Sequence, residues 1–195
     1  MDTACVNFHG PISHPATTKL RNAVCGAVNE RIQEGPNKGQ KRYDKLYLFM
    51  NSVGGPLDDA FALFGFLRVI PIEVTTINTG WIASSSILPF MAGKIRVALP
   101  HSRFHFHDYE WNYPAAHNMT RLEYVDHTQI LETSKSRTLE ILKELTSLTD
   151  EDFKSLKFLD VPIIKDATFA KEKGIVHKVE HFVVPEGMNI FNVDY

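Results

Sequence analysis

The sequence predicts an α/β fold in which parallel strands alternate with helices and one helix is much longer than the others. Short runs of β-forming residues alternate with helical patterns through the first half of the chain. Glycine-rich turns follow two successive predicted strands, and a helical pattern of about 26 residues follows in the second half. The length of 195 residues, 44% of them hydrophobic, suits one compact domain covering 1–195.

The first half of the chain supplies the alternation from which the sheet is predicted. In order, its elements are a strand at 4–8, a helix at about 15–33, a strand at 46–50, a helix at 57–68 and a strand at 74–79. Apolar residues of the first helix recur at helical spacing, whereas the second strand is a continuous apolar run of the kind buried on both faces of a sheet. A turn at Gly80 is expected to end the third strand, and sites in such sheets lie where strands end.

The second half is predicted to form shorter elements around one long helix. Its elements are strands at 96–99 and 103–106, a loop at 108–118, helices at 120–145, from 149 and at 167–173, and a last strand at 175–179. The long helix, part of a handle region at about 118–147, would reach about 39 Å at 1.5 Å per residue. A domain of this size does not need such a helix for its own core, so we expect it to project and to pack against another subunit.

Composition and charge argue against several classes of partner. The 21 basic and 23 acidic side chains give a net charge of −2, which favours neither nucleic acid nor an anionic membrane surface. No apolar run is long enough to span a bilayer, and the N-terminus lacks the basic-then-apolar pattern of a secretory signal. Since the chain has only two cysteines, a disulfide framework is not expected, and a reducing, cytoplasmic setting fits best.

A serine and a histidine are the strongest indication of chemistry. Ser84 lies in a run of three serines after the third strand, and His107 lies on a later predicted strand. A serine hydroxyl becomes a useful nucleophile when a base takes its proton and main-chain dipoles hold the oxyanion that forms. His107 is the candidate base, Gly55 and Ser85 offer candidate N–H donors, and Asp160 is the candidate third member that orients the base.

Four landmarks, taken in order, resemble the proteolytic subunit of the Clp protease and its relatives. They are Asn51-Ser52-Val53-Gly54-Gly55 after a buried strand, Gly80 followed by Ala83-Ser84, the stretch from Ala92-Gly93 through Leu99-Pro100 to Ser102-Arg103 and His107, and a long and a short helix before Asp160. The landmarks span roughly residues 46–177. The resemblance implies a spiral of βαβ units related to the crotonase fold, with the long helix as a projecting handle.

The resemblance also implies an activity and a site. It implies a serine peptidase acting by acyl transfer, with Ser84 as nucleophile, His107 as base, Asp160 as third triad member, and the N–H groups of Gly55 and Ser85 as oxyanion donors. Family members bind peptides as added strands beside the active site, so peptide or unfolded-protein substrates are expected, together with a homo-oligomeric ring. The resemblance implies no cofactor and no metal.

Three departures from the family pattern bear on these expectations. Val53 stands where relatives have proline, Ser85 stands where they have methionine, and the connection after Asp160 is about two residues longer than usual. Asp166 therefore remains the alternative third member. The chain begins almost directly at the first strand, without the segment that forms the pore loop in the family, so docking to an ATP-driven unfoldase is not expected.

Other interpretations of the same residues stay open. Ser84 also suits an ordinary strand-to-helix turn, and a neighbouring serine is an alternative nucleophile. His105 and His107 share a strand face and, with His101, Asp108 and His117 nearby, suggest a zinc site, although no third ligand is fixed by spacing. Tyr109, Trp111 and Tyr113 would line either a substrate groove or a subunit interface. The alternative functions are a non-catalytic Clp-like structural subunit and a crotonase-type acyl-CoA enzyme, which needs no nucleophilic serine.

Overall fold

The computed structural model describes residues 2–111, 119–184, 188 and 190–193 of the chain. The strands in these ranges are β1 (Asp2–His9), β2 (Tyr43–Ser52), β3 (Glu73–Ala83), β4 (Ile95–Ala98), β5 (Arg103–Phe106), β6 (Ile163–Asp166), β7 (Lys178–Val179) and β8 (Ile190–Val193). The helices are α1 (His14–Asn29), α2 (Leu57–Val69), α3 (Ile87–Met91), α4 (Arg121–Leu145), α5 (Asp150–Leu156) and α6 (Ala167–Glu172). A 3₁₀ turn, Ser84–Ser86, joins β3 to α3.

One mixed sheet carries the fold and confirms the predicted α/β class. Its main path has the strand order β6-β5-β3-β2-β1-β8, and β4 joins β3 to β7 off this path. The described pairs are parallel except for β5 with β6. Parallel neighbours need a crossover connection, which α1 and α2 supply between the first three strands. The buried stripe of α1, at Ala16, Leu20, Val24 and Ala27, follows the helical period that the sequence predicts.

β3, the longest described strand, pairs with two different strands along one edge. Residues 75–78 of β3 pair with β4, whereas residues 81–83 pair with β5. Between these two segments the register with β2 shifts, so that β3 holds extra residues opposite Asn51. Gly80 lies in this irregularity. The predicted turn at Gly80 is therefore wrong, because the end of β3 finds a new partner in β5 and the strand continues to Ala83.

The sequence does not predict β6 or β8. β6 occupies the connection after Asp160 and runs antiparallel to β5, with Asp166 opposite Arg103. β8 pairs in parallel with β1, with Ile190 opposite Cys5. Each is four residues long, too short for a convincing alternation of apolar and polar residues. Both strands owe their pairing to partners distant along the chain, which local pattern does not reveal.

The predicted long helix is present as α4, which has 25 residues. It begins with a capping box, in which Thr120 Oγ1 accepts from the Glu123 N–H at 3.2 Å and Glu123 Oε2 accepts from the Thr120 N–H at 2.7 Å. In the C-terminal half, Ser134, Thr138 and Leu142 form a buried stripe. In the N-terminal half, Leu122 is 80% exposed. The helix is therefore docked at its C-terminal end and extends away from the sheet at its N-terminal end.

A buried arginine on β4 braces the end of α4 and the segment after α6. The Arg96 side chain is 4% exposed and donates to the carbonyl oxygens of Leu145 at 2.6 Å, Ile175 at 2.8 Å and Gly174 at 3.0 Å. Burial lowers the pKa of Arg96 to about 10, with a smaller contribution from the charge of Arg68. The guanidinium therefore stays charged at neutral pH while main-chain carbonyls satisfy its donors.

Replacing Arg96 with methionine is expected to lower the free energy of unfolding by about 3 kcal/mol or more, because several buried carbonyls lose a charged donor. Urea denaturation at fixed protein concentration measures the change. Arg121→Met, at an exposed position in the first turn of α4, is the matched control and should change stability by no more than about 0.5 kcal/mol. Equal losses in the two variants would contradict the bracing role of Arg96.

Candidate active site

Ser84 lies where β3 ends and the 3₁₀ turn begins. Its φ of +55° is in the left-handed region, which costs a residue other than glycine roughly 1 kcal/mol or more. Ser86 secures the turn, since its Oγ accepts from the Ala83 N–H at 2.9 Å and lies 2.7 Å from the Ala83 carbonyl oxygen. The local fold therefore holds Ser84 in a strained conformation of the kind often found at functional sites.

Two glycines after β2 pack directly against this turn. Gly54 has a φ of +88°, and a Cβ there would lie 2.7 Å from Ser84 Cβ and 2.7 Å from the Ala83 carbonyl oxygen. A Cβ at Gly55 would overlap the main-chain carbonyl of Ile12. Gly54 therefore lets the loop approach the serine turn, whereas Gly55 lets the loop pass the main chain of Ile12.

The hydroxyl of Ser85 is bonded to the main chain of Gly55. Ser85 Oγ accepts from the Gly55 N–H at 2.9 Å and donates to the Gly55 carbonyl oxygen at 2.8 Å. The Ser85 side chain is buried. The Gly55 N–H, one of the two oxyanion donors expected from the sequence, is thus engaged by a side chain.

Ser84, His107 and Gly55 line one cavity of about 500 Å³. Its apolar wall is formed by six side chains: Pro56, Leu57, Tyr109, Trp111, Ile130 and Leu131. Two carboxylates, Asp58 and Glu110, also line it. The described lining contains no lysine or arginine, so the cavity combines a large apolar surface with acidic groups. Sequence reasoning identified Tyr109 and Trp111 as candidate lining residues but not the contribution from α4. Tyr113, the third aromatic residue of the predicted loop, lies outside the described residues.

His107 lies just beyond the end of β5. Its Nδ1 is 2.6 Å from the Asp108 carbonyl oxygen. An Nδ1–H that donates to this oxygen leaves Nε2 with the lone pair that a general base needs. The ring of His105 lies 5.0 Å from that of His107, centroid to centroid. Burial, and secondarily the charge of His107, lower the pKa of His105. Among the described residues no hydrogen bond joins Ser84 to His107.

Asp160 lies in an ion-pair network rather than in a hydrogen bond with His107. Its Oδ1 is 2.7 Å from Lys135 Nζ, which is also 3.4 Å from Asp108 Oδ1. The Asp160 side chain is 58% exposed, whereas that of Lys135 is 18% exposed. The network therefore links α4 both to the candidate third triad member and to the residue whose carbonyl accepts from His107.

Burial is the largest single influence on the pKa of Lys135 and lowers it, but the hydrogen bond with Asp160 and the charge of Asp108 outweigh burial, so the pKa is raised. Lys135 is a residue that sequence reasoning missed, since a lysine on the face of a long helix carries no distinctive pattern.

Asp166, the alternative third member, is engaged elsewhere. Its Oδ1 accepts from the Phe169 N–H at 2.8 Å and caps α6. On the β5–β6 ladder Asp166 is opposite Arg103, at the start of β5, whereas His107 lies beyond the other end. The geometry thus separates Asp166 from His107.

The described ranges contain neither a metal-binding cluster nor a membrane-spanning helix. No group of three or more histidine, cysteine, aspartate or glutamate side chains with metal-binding geometry occurs in those ranges. None of the helices in the described part of the chain combines the length and the apolar character that crossing a bilayer requires.

A protein-family model matches most of the chain. The family described as Clp protease matches residues 38–182. This range contains Ser84, His107 and Asp160.

Individual relatives match over different lengths. The ATP-dependent Clp protease proteolytic subunit 2 of Borreliella burgdorferi is 34% identical over 64 residues, 32% of each chain. This chain matches only 32–44% of the length of that relative and two similar ones. The proteolytic subunit of Solanum lycopersicum is 28% identical over 162 residues, which are 82% of this chain and 73% of the relative.

A solved structure shows the same fold. A mutant of ClpP1 from Listeria monocytogenes superposes with a TM-score of 0.72 at 20% sequence identity, covering 91% of both chains. The predicted fold class is therefore confirmed by structure as well as by sequence.

Gly54→Ala is expected to lower the free energy of unfolding by about 2 kcal/mol or more, because alanine must adopt a positive φ and its Cβ would meet Ser84 and Ala83. Thermal and urea denaturation measure the loss. Gly65→Ala in α2, where a Cβ has no neighbour within 4 Å, is the control and should be neutral or stabilising by up to about 1 kcal/mol. A Gly54→Ala protein as stable as the control would refute the close packing of loop and turn.

Proposed function

The chain belongs to the Clp protease family, and on that premise we propose that it hydrolyses peptide bonds as a serine peptidase. Ser84 Oγ attacks the substrate carbonyl carbon while His107 Nε2 accepts the proton. The N–H groups of Gly55 and Ser85 bind the oxyanion of the tetrahedral intermediate. His107 then protonates the leaving amine, and water hydrolyses the acyl-enzyme with His107 again acting as base.

One observation carries this proposal. Ser84 and His107 line the same cavity, and they come from two strands that pair with each other, β3 and β5. The choice of Ser84 among the three serines is supported by hydrogen bonding, because the hydroxyls of Ser85 and Ser86 are both committed to main-chain groups. The hydrogen bond between His107 Nδ1 and the Asp108 carbonyl supports the tautomer that a base requires.

Asp160 is the proposed third member of the triad. In the arrangement described above its carboxylate contacts Lys135, so orienting His107 requires the Asp160 side chain to turn away from α4. Its large exposed fraction is consistent with such a rotation. A protonated His107 formed during acyl transfer would attract the carboxylate and favour that exchange.

The cavity and the exposed half of α4 support further parts of the proposal. The apolar wall suits a large apolar side chain of a peptide or unfolded protein, and Asp58 and Glu110 disfavour acidic neighbours. Leu122, Tyr124 and Val125 are exposed on α4, which supports assembly with further copies in a homo-oligomeric ring. We also propose a cytoplasmic location. We do not propose an ATP-driven unfoldase as a partner.

The second candidate function is that of a non-catalytic, Clp-like structural subunit. Two observations favour it: the Gly55 N–H is bonded to Ser85, and Asp160 is bonded to Lys135 rather than to His107. Neither group therefore has the contacts that the catalytic mechanism requires.

A fluorophosphonate probe is expected to label the protein, and Ser84→Ala is expected to abolish the labelling because the probe reacts with an activated serine. His107→Ala should slow labelling by about 10³-fold or more, since the base is lost. Ser136→Ala, on an exposed face of α4, is the matched control and should label at the wild-type rate. Absence of labelling in the wild type would favour the non-catalytic subunit. Activity on CoA thioesters that is unchanged in Ser84→Ala would favour the crotonase-type enzyme.

Asp160→Asn is expected to reduce kcat for a fluorogenic peptide by about 10³-fold or more, because the amide neither orients nor stabilises the imidazolium as a carboxylate does. Steady-state kinetics at constant pH measure the effect. Asp166→Asn is the comparison, and its loss should be small because Asp166 caps α6. A loss of less than tenfold in Asp160→Asn would show that the Asp108 carbonyl alone orients the base.

A further inference from the structure

The contact between Ser85 and Gly55 joins two separate parts of the chain. Gly55 belongs to the loop after β2, and Ser85 to the turn after β3, 30 residues later. One buried hydroxyl serves both polar groups of Gly55, accepting from its N–H and donating to its carbonyl oxygen. Both distances, 2.9 and 2.8 Å, are those of well-formed hydrogen bonds.

This arrangement conflicts with the role that the proposed mechanism gives to the Gly55 N–H. An N–H group makes one strong hydrogen bond, and this one points at a side chain that is 1% exposed. It therefore does not point at a substrate carbonyl in the cavity. Binding an oxyanion requires the peptide unit of Gly55 to turn, which breaks the bonds to Ser85 Oγ.

We infer that the Ser85 side chain is a positioning residue that holds the Gly55 N–H out of the oxyanion site until substrate binds. The inference rests on the proposed peptidase function and extends it. The main-chain N–H of Ser85 keeps its own role as the other donor, so the side chain and the main chain of this residue act in opposite directions. Removing the hydroxyl leaves the resting orientation of Gly55 without its two bonds and favours the orientation that serves catalysis.

The size of the effect follows from the bonds that are lost. Two hydrogen bonds hold the resting orientation, so their loss should shift the balance between the two Gly55 orientations about tenfold. Because the oxyanion exists only in the transition state and not in the bound substrate, the gain should appear in kcat rather than in KM. A side chain that merely supported the loop would give the opposite result, because its removal would lower kcat.

Ser86 provides a matched control in the same turn. Its hydroxyl also bonds to the main chain, but to Ala83 and Ser52 and not to Gly55. Ser86→Ala therefore removes a buried hydroxyl of the same size without releasing Gly55. It should lower stability and should not raise kcat.

The experiment compares the wild type, Ser85→Ala and Ser86→Ala in three measurements: fluorophosphonate labelling rate, kcat and KM for a fluorogenic peptide, and amide hydrogen exchange in the segment containing Gly55. For Ser85→Ala we expect labelling and kcat to rise about tenfold, KM to stay within about twofold, and exchange at Gly55 to accelerate. Ser85→Cys, whose thiol is a weaker hydrogen-bonding group, should fall between the wild type and Ser85→Ala, and it provides a second test if the alanine variant folds poorly.

The outcomes separate this inference from the proposed function. Labelling at Ser84 in the wild type, with no increase in Ser85→Ala and Ser85→Cys, overturns the inference and leaves the peptidase intact. Labelling in Ser85→Ala but not in the wild type supports both. Absence of Ser84-dependent labelling in all variants overturns both, because release of Gly55 then produces no active serine.

Discussion

The structure depends on the close approach of the glycine loop after β2 to the serine turn after β3. This approach is possible because β2 and β3 are parallel neighbours, so that Ser52 and Ile82 lie opposite each other just before the loop and the turn begin. Gly54 leaves no room for a side chain between its Cα and Ser84. The fold thus places the candidate nucleophile against the glycine loop, and in the proposed mechanism the orientation of the loop amides decides whether the site reacts.

Sequence reasoning predicted this part of the molecule well, for identifiable reasons. The helical period of α1 and the continuous apolar run of β2 are local signals, and both elements are present, although α1 ends at Asn29 rather than at about 33 and β2 extends beyond the predicted 46–50 at both ends. Ser84 and His107 were recognised because their order along the chain resembles a known family, and the structure brings both to one cavity. Neither residue would have been singled out by local pattern alone, since a serine in a turn and a histidine near a strand are common.

Other features could not have been predicted, because they depend on contacts between distant segments. Gly80 is typical of a turn, yet β3 continues past it because residues 81–83 pair with β5. To predict the hydrogen bonds between the Ser85 hydroxyl and Gly55, one must know both the Ser85 rotamer and the conformation of the loop. Lys135 gives no sign in the sequence that it pairs with Asp160. Each case requires knowledge of which segments meet, and the period of a single element does not contain that information.

The brace formed by Arg96 has a consequence for how the chain folds as it is synthesised. Its carbonyl acceptors at Leu145, Gly174 and Ile175 lie 49, 78 and 79 residues further along the chain. A nascent chain that has emerged only as far as the start of α4 would hold a charged guanidinium beside a forming core without these three acceptors. Completion of the interior therefore waits until the residues after α6 leave the ribosome, which makes the closing step long-range and slow relative to formation of the first three strands.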